Sequence, residues 1–273
     1  MSGHGIMNYE NDLEKKHRYS GGFKDGLYNG VGELIFKDSF EVEWYKGSFF
    51  EGIFHGNGKV QYRDGGYYEG EFSAVTCSED ISLDGHFSMF GKREGKGKRV
   101  WAAGNVFNGE WKNNKMFEGR YCNESQQSTY IGTFKNDKKS GSGREIWRSP
   151  NGKTYKDPCF GWTHEAGGVC KYIGHYRNGH FHGEGKFQAP DGREYDGEWD
   201  KGKPHGSGRM IMLKKYEKGD SSRMNIGKYG SLYRPEVYVG LWEQGRKHGV
   251  GNLNFLDGSA KKVTYQRGLM IQG

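Results

Sequence analysis

Aliphatic side chains are scarce in this chain. Val, Leu and Ile together fill 31 of 273 positions, which excludes an ordinary aliphatic core. Cysteine is scarcer still. Cys77, Cys122, Cys159 and Cys170 form no CxxC pair and are too few for a disulfide framework over this length. No run of 18 apolar residues occurs, so no helical membrane span is expected. The opening residues, MSGHGIMNYENDLEKK, hold no apolar stretch of signal-peptide length, and a cytoplasmic location is expected. Ser2 and the closing IQG match no lipidation signal. Neither sign of charge dominates. With 41 Lys and Arg against 34 Asp and Glu, the net charge of +7 permits acidic partners without demanding them.

Glycine and aromatic residues are abundant instead. There are 47 Gly, 18 Tyr, 16 Phe and 7 Trp. Disordered chains are poor in rings, which argues against disorder, and the Gly spacing is not the every-third-residue pattern of collagen. The glycines follow a template: an aromatic residue, Gly at +2, an aromatic at +4, then Gly at +7, +11 and +13. Tyr19, Tyr45, Tyr172, Tyr195 and Tyr238 each start a full copy. Tyr130 starts one with Asp137 in the +7 slot, and Phe107 starts one whose late Gly is displaced to Gly119. Tyr68, Gly70 and Phe72 begin a copy that breaks off, and Gly95 and Gly97 finish it. The basic spacing is 23 residues, as between Tyr45 and Tyr68 or Tyr172 and Tyr195.

The template reads mechanically. Aromatic-x-Gly-x-aromatic has period 2, so the three residues share one face of a strand, and polar residues such as Glu69 and Glu71 take the other. The segment from +5 to +10 is rich in turn formers. Gly-x-Gly opens a second strand, which ends at Asp64-Gly65, Asn151-Gly152, Asp191-Gly192 or Asp257-Gly258. Each unit is therefore one antiparallel hairpin, and Gly on the ring face leaves room for a neighbouring ring. One hairpin cannot stand alone in water, but a stack can.

This unit, best seen in YDGEWDKGKPHGSG from Tyr195, resembles the MORN repeat (membrane occupation and recognition nexus) over Tyr19 to about Gly258. The resemblance implies an all-β fold: an elongated, single-layer, twisted antiparallel sheet of stacked hairpins with a concave aromatic-lined groove. It also implies a largely non-catalytic scaffold of cytoskeletal, ciliary or membrane-apposed structures; some members bind a partner helix, and a few are phosphoinositide binders. The chain divides into an N-terminal tail over 1–18 and a repeat array over 19–273. The array is interrupted near 73–82, 144–171 and 209–237, segments suited to carry contacts.

No catalytic, cofactor or metal site is expected. GKREGKGKR at 91–99 lacks the spacing of a phosphate loop. Its Lys92, Arg93, Lys96, Lys98 and Arg99 suit an anionic lipid surface, or are a solvated hairpin turn; nucleic acid is not expected. His55, His182, His205 and His248 all occupy the +10 slot, a structural repetition. Cys159, His164, Cys170 and His175 are zinc-ligand types at spacings that match no standard site. The aromatic rows carry the leading expectation. A single-layer sheet has no second layer, so Phe23, Phe49, Trp111, Phe134, Tyr176, Tyr195, Trp199, Tyr238 and Trp242 are expected to form an open floor for a helix or extended segment of a partner. The expected setting is an axonemal or cytoskeletal assembly, with the open ends of the stack suited to pairing with a second copy. KKVTYQRGLMIQG from Lys261 reads as a truncated last unit.

Overall fold

A computed structural model describes residues 2–8, 17–36, 41–74, 89–148, 154–156, 159–161, 163–164, 168–215 and 233–273. Among them no residue is helical. The chain forms two compact units, Met1–Ser125 with Lys135–Asp137, and Gln126–Phe134 with Lys138–Gly273.

The first unit is an antiparallel meander in sequence order. Its strands are β1 Gly3–Asn8, β2 His17–Lys24, β3 Leu27–Phe36, β4 Val42–Phe50, β5 Ile53–Tyr62, β6 Tyr67–Ser73, β7 Lys92–Val100, β8 Val106–Lys112 and β9 Lys115–Asn123. Residues 3–8, which the sequence reading places in a tail, pair with β2 from Gly3↔Phe23 to Asn8↔Arg18. The second unit holds β10 Ser128–Lys135, β11 Lys138–Arg148, the short pair β12 Tyr155–Lys156 and β13 Thr163–His164, then β14 Val169–Arg177, β15 His180–Gln188, β16 Glu194–Asp200, β17 Lys203–Lys215, β18 Tyr233–Glu243, β19 Arg246–Asn254, β20 Ala260–Gln266 and β21 Leu269–Gln272. Two expected interruptions prove narrower than the sequence suggests. Arg144 to Arg148 pair with β14, and Arg209 to Lys215 pair with β18 out to Lys215↔Tyr233. Most of the expected interruption at 73–82, and Asn151-Gly152, lie outside the described residues.

The hairpin chemistry explains two of the four template glycines. At +6 and +7 both residues have positive φ, as in Asn178 (52°) and Gly179 (85°), or Lys201 (48°) and Gly202 (81°). That is the I′ turn whose twist matches a two-residue hairpin. Asp137 can stand in the +7 slot because Asn136 and Asp137 adopt the same geometry at 52° and 58°, which Asn and Asp tolerate. The +11 glycines also have positive φ, for example Gly183 at 62°, where the ladder slips by two residues and the strand bulges.

The +2 and +13 glycines serve a different purpose. They pair with one another across every strand boundary: Gly21↔Gly32↔Gly47↔Gly58↔Gly70↔Gly97↔Gly109↔Gly119 in the first unit. In the second the row runs Gly143↔Gly174↔Gly185↔Gly197↔Gly208↔Gly240↔Gly251, then ends against Val263. This side-chain-free lane lets the +0 ring lie flat on the backbone. The interrupted copy obeys it too, since Gly70 in β6 meets Gly97 in β7 across the insert. KKVTYQRGLMIQG forms the β20–β21 hairpin around Arg267 and Gly268.

Candidate interaction surfaces

The rings are not an open floor. Tyr19, Tyr45, Tyr68, Phe107, Tyr130, Tyr172, Tyr195 and Tyr238 are fully buried, and no +4 ring is more than 7% exposed. Each +0 tyrosine is clasped edge-on by its own +4 ring and by a ring of the next hairpin. Tyr172 lies 5.3 Å from Tyr176 and 5.4 Å from Trp199; Tyr195 lies 4.9 Å from Trp199 and 5.3 Å from Trp242. Its hydroxyl donates to the carbonyl at +3: Tyr45 to Ser48 at 2.7 Å, Tyr195 to Glu198 at 2.9 Å. The Trp rings are tied as well, Trp199 Nε1 donating to Gly185 O at 2.9 Å and Trp111 Nε1 to Gly97 O at 3.1 Å. Phe160, from the segment between β11 and β14, lies 5.5 to 6.1 Å from Phe187, Tyr195 and Trp199, and Phe90 lies 5.5 Å from Phe54. The expectation that Phe23, Phe49, Trp111, Phe134, Tyr176, Tyr195, Trp199, Tyr238 and Trp242 form a docking floor is therefore corrected. The glycine lane lets these rings cover one another, and they are the core.

A slot missed by the sequence template completes that core. The +9 residue lies on the +0 ring. Where it is aromatic it stacks: Tyr28 on Tyr19 at 3.9 Å, Phe54 on Tyr45 at 3.7 Å, Phe181 on Tyr172 at 3.8 Å. In two copies a lysine takes the slot. Lys139 Nζ lies 5.3 Å from the centre of Tyr130, and Lys247 Nζ lies 4.7 Å from that of Tyr238. Burial holds the Lys247 ammonium below the usual lysine range. Lys139 also pairs with the buried Glu145, which accepts from Tyr176 Oη at 3.2 Å. Burial first, and then the Glu145 charge, push the Tyr176 hydroxyl far up. A ring, Met116, Pro204 or lysine five residues after most of the +4 aromatics was the available signal.

The five cations expected to act together are separated. Residues 92–100 are strand β7 between β6 and β8, not a turn. Arg93 lies 4.4 Å from the centre of Trp111, and its guanidinium donates to Asn114 O at 3.0 Å. Arg99 is 7% exposed and sits 3.6 Å from the centre of Tyr62, and burial lowers its pKa. Lys96 and Lys98 are exposed on the opposite face, with Lys98 Nζ 5.8 Å from Tyr67, and Lys92 is half-buried. Strand alternation thus splits the basic run between two faces.

The +10 histidines fall early in the second strands. His182 Nδ1 lies 3.4 Å from Asp200, and His248 Nδ1 lies 3.4 Å from Glu243. Cys170 is buried on the ring face of β14, whereas His175 is exposed on the other, so these two do not converge on one site. A cavity of about 400 Å³ lies beside Asp191 and Glu194. Of its charged groups, Asp191 pairs with Arg193 at 2.6 Å, and Glu194 with Lys186 at 2.6 Å.

What stands open is the face opposite the rings. Most of it is polar, including Lys186, Asp196 and Arg209. On β18 and β19, however, Val239, Leu241 and Val250 are exposed by 41%, 46% and 50%. Val239 and Leu241 share one face of β18, and Val250 lies in the β19 bulge between Gly251, which pairs with Gly240, and His248, which pairs with Leu241.

A family model for the MORN repeat matches residues 19–39, 45–67, 84–106, 107–117, 130–149, 172–192, 195–211 and 238–260, more than half of the chain. The chain belongs to the MORN-repeat family. A search of curated proteins finds no match. MORN repeats are in general non-enzymatic scaffolds for protein or membrane interaction. The family match at 84–106 covers the second half of the copy that Tyr68 begins, whose two halves the pairing of β6 with β7 reunites.

Proposed function

We propose that this MORN-repeat chain is a non-enzymatic scaffold that holds a segment of a partner protein against the open face of the sheet, within a cytoskeletal assembly such as a ciliary or flagellar axoneme. The apolar trio Val239, Leu241 and Val250 carries the reading. These residues lie outside the core, which the rings, with buried aliphatic side chains such as Met210, Leu253 and Val263, form on the other face. Contiguous exposed apolar side chains on an otherwise polar strand face suit a protein partner. The strongly shifted hydroxyls belong to tyrosines whose burial in the ring core accounts for them, so they do not call for a catalytic role.

Detergent extraction of ciliated cells tests this. The wild-type chain should stay with the insoluble cytoskeleton, and the variant Val239→Glu, Leu241→Glu, Val250→Glu should be released while keeping its β-sheet circular dichroism. Release of the wild type, or equal retention of the folded variant, would refute the reading.

A further inference from the structure

We propose that the turn edge of the second unit binds an extended, acidic polypeptide segment. In an antiparallel meander every I′ turn falls along one edge of the sheet. Here these are Asn178–Gly179, Lys201–Gly202, Gln244–Gly245 and Arg267–Gly268. Each turn nests on the hairpin before it through one backbone hydrogen bond from the +7 glycine. Gly179 N donates to Lys139 O at 2.9 Å, Gly202 N to Phe181 O at 2.9 Å, Gly245 N to Pro204 O at 2.8 Å and Gly268 N to Lys247 O at 2.9 Å. The bonds fix the turns in a row, one every two strand widths, or roughly 10 Å.

That row is lined with cations. Lys138, Arg177, Lys201, Lys203, Arg246 and Arg267 flank or form the turns and are all exposed. None of the six makes an ion pair among the described residues, whereas the two acids on the same edge, Asp200 and Glu243, already face His182 and His248 at 3.4 Å. The edge therefore carries six cations against two acids, a net excess of positive charge. It is also not a requirement of the hairpin. The equivalent slots of β2–β3 and β4–β5 in the first unit hold Asp25, Leu27, Phe50, Glu51 and Ile53 beside Lys24, whereas β8–β9 has Lys112 and Lys115.

The geometry selects among anionic ligands. A single file of charge about 40 Å long suits a linear polyanion. Single-stranded nucleic acid needs aromatic platforms for its bases, and the rings of this sheet are buried. A lipid surface is best held by apolar side chains entering the acyl boundary; three of the four turns are flanked by no exposed apolar residue, and only Arg267–Gly268 has such neighbours, Leu269 and Ile271. An extended peptide rises about 3.3 Å per residue, so an acid at every third position meets one turn after another. This surface is separate from the apolar trio, so its loss leaves cytoskeletal retention through that trio readable by itself.

Fluorescence anisotropy of the full chain with a labelled peptide carrying Glu at every third position, in a Gly-Ser background, tests the proposal. Binding is expected at low ionic strength and should weaken steeply with added salt. The variant Lys201→Glu, Lys203→Glu, Arg246→Glu, Arg267→Glu should bind about 30-fold more weakly, as for four exposed ion pairs lost. It should also gain affinity for the same peptide with Lys in place of Glu, a rescue that a misfolded protein would not give. Should that variant fail to fold, the four-Gln variant at the same positions is expected to lose binding to the Glu peptide. Unchanged binding by either folded variant overturns the proposal. So does capture of phosphatidylserine vesicles or oligouridylate through these four cations when the Glu peptide is not bound.

Discussion

Gly208→Ala is expected to destabilise the second unit by about 3 kcal/mol or more, an unusually large effect for one added methyl group. Gly208 does not have a positive φ, so the penalty is steric and not conformational. A Cβ there would come within 2.6 Å of both Cε2 and Cζ of Tyr195. The ring cannot retreat. Trp199 and Trp242 hold its edges at 4.9 and 5.3 Å, and its hydroxyl donates to Glu198 O at 2.9 Å. Moving it forfeits that hydrogen bond and loosens two tryptophans, one of which donates to Gly208 O itself. Gly179→Asn is the contrast. Nothing lies within 4 Å of a Cβ at Gly179, and Asn and Asp occupy the matching turn at Asn136 and Asp137. Its cost should stay within roughly 0.5 kcal/mol. Urea unfolding of the two variants measures the difference, and equal midpoints would remove the glycine lane as the basis of the core.

The sheet should also unfold cooperatively in mild alkali. Burial, as the chief cause, raises the hydroxyl pKa of Tyr45, Tyr68, Tyr130, Tyr172 and Tyr195 well above the ordinary value, and that of Tyr238 to about 12. Below pH 10 these tyrosines are protonated in both folded and unfolded chains, and their contribution to stability is constant. Above pH 10 the unfolded chain releases protons that the folded chain retains, so stability falls as pH rises. Each such tyrosine removes about 1.4 kcal/mol per pH unit once the unfolded form is ionised. Several acting together exceed the roughly 5–15 kcal/mol that holds a domain folded. Loss of the β-sheet circular dichroism should therefore coincide with one steep rise in tyrosinate absorbance between about pH 10.5 and 12. A gradual rise centred near pH 10, with the sheet intact, would mean that the rings are open to water.

Much of this was legible in the sequence because hairpin geometry is local. The I′ turns need positive φ at two adjacent residues, and Gly, Asn and Asp at +6 and +7 announce it. The period-2 pattern places Tyr195, Gly197 and Trp199 on one face, and the structure agrees. The register of Gly70 on Gly97 was readable across an insert, since both belong to one template.

Other features depend on which strands become neighbours. A single strand shows Tyr195 and Trp199 as an apolar stripe in need of cover. Only the sheet brings Trp242 from 47 residues onward against Tyr195, so that the ring layer encloses itself and the expected floor disappears. The +9 slot has the same origin: Phe181 matters because a bulged ladder lays it on Tyr172. The basic run 92–99 reads as one patch in sequence, but strand alternation divides it between rings and solvent. Sequence alone thus determined the hairpins, their turns and the glycine lane, since each follows from backbone preferences within one repeat. The tertiary structure decided which face is core and which is open, because burial is set by neighbours that the chain meets only after it has folded.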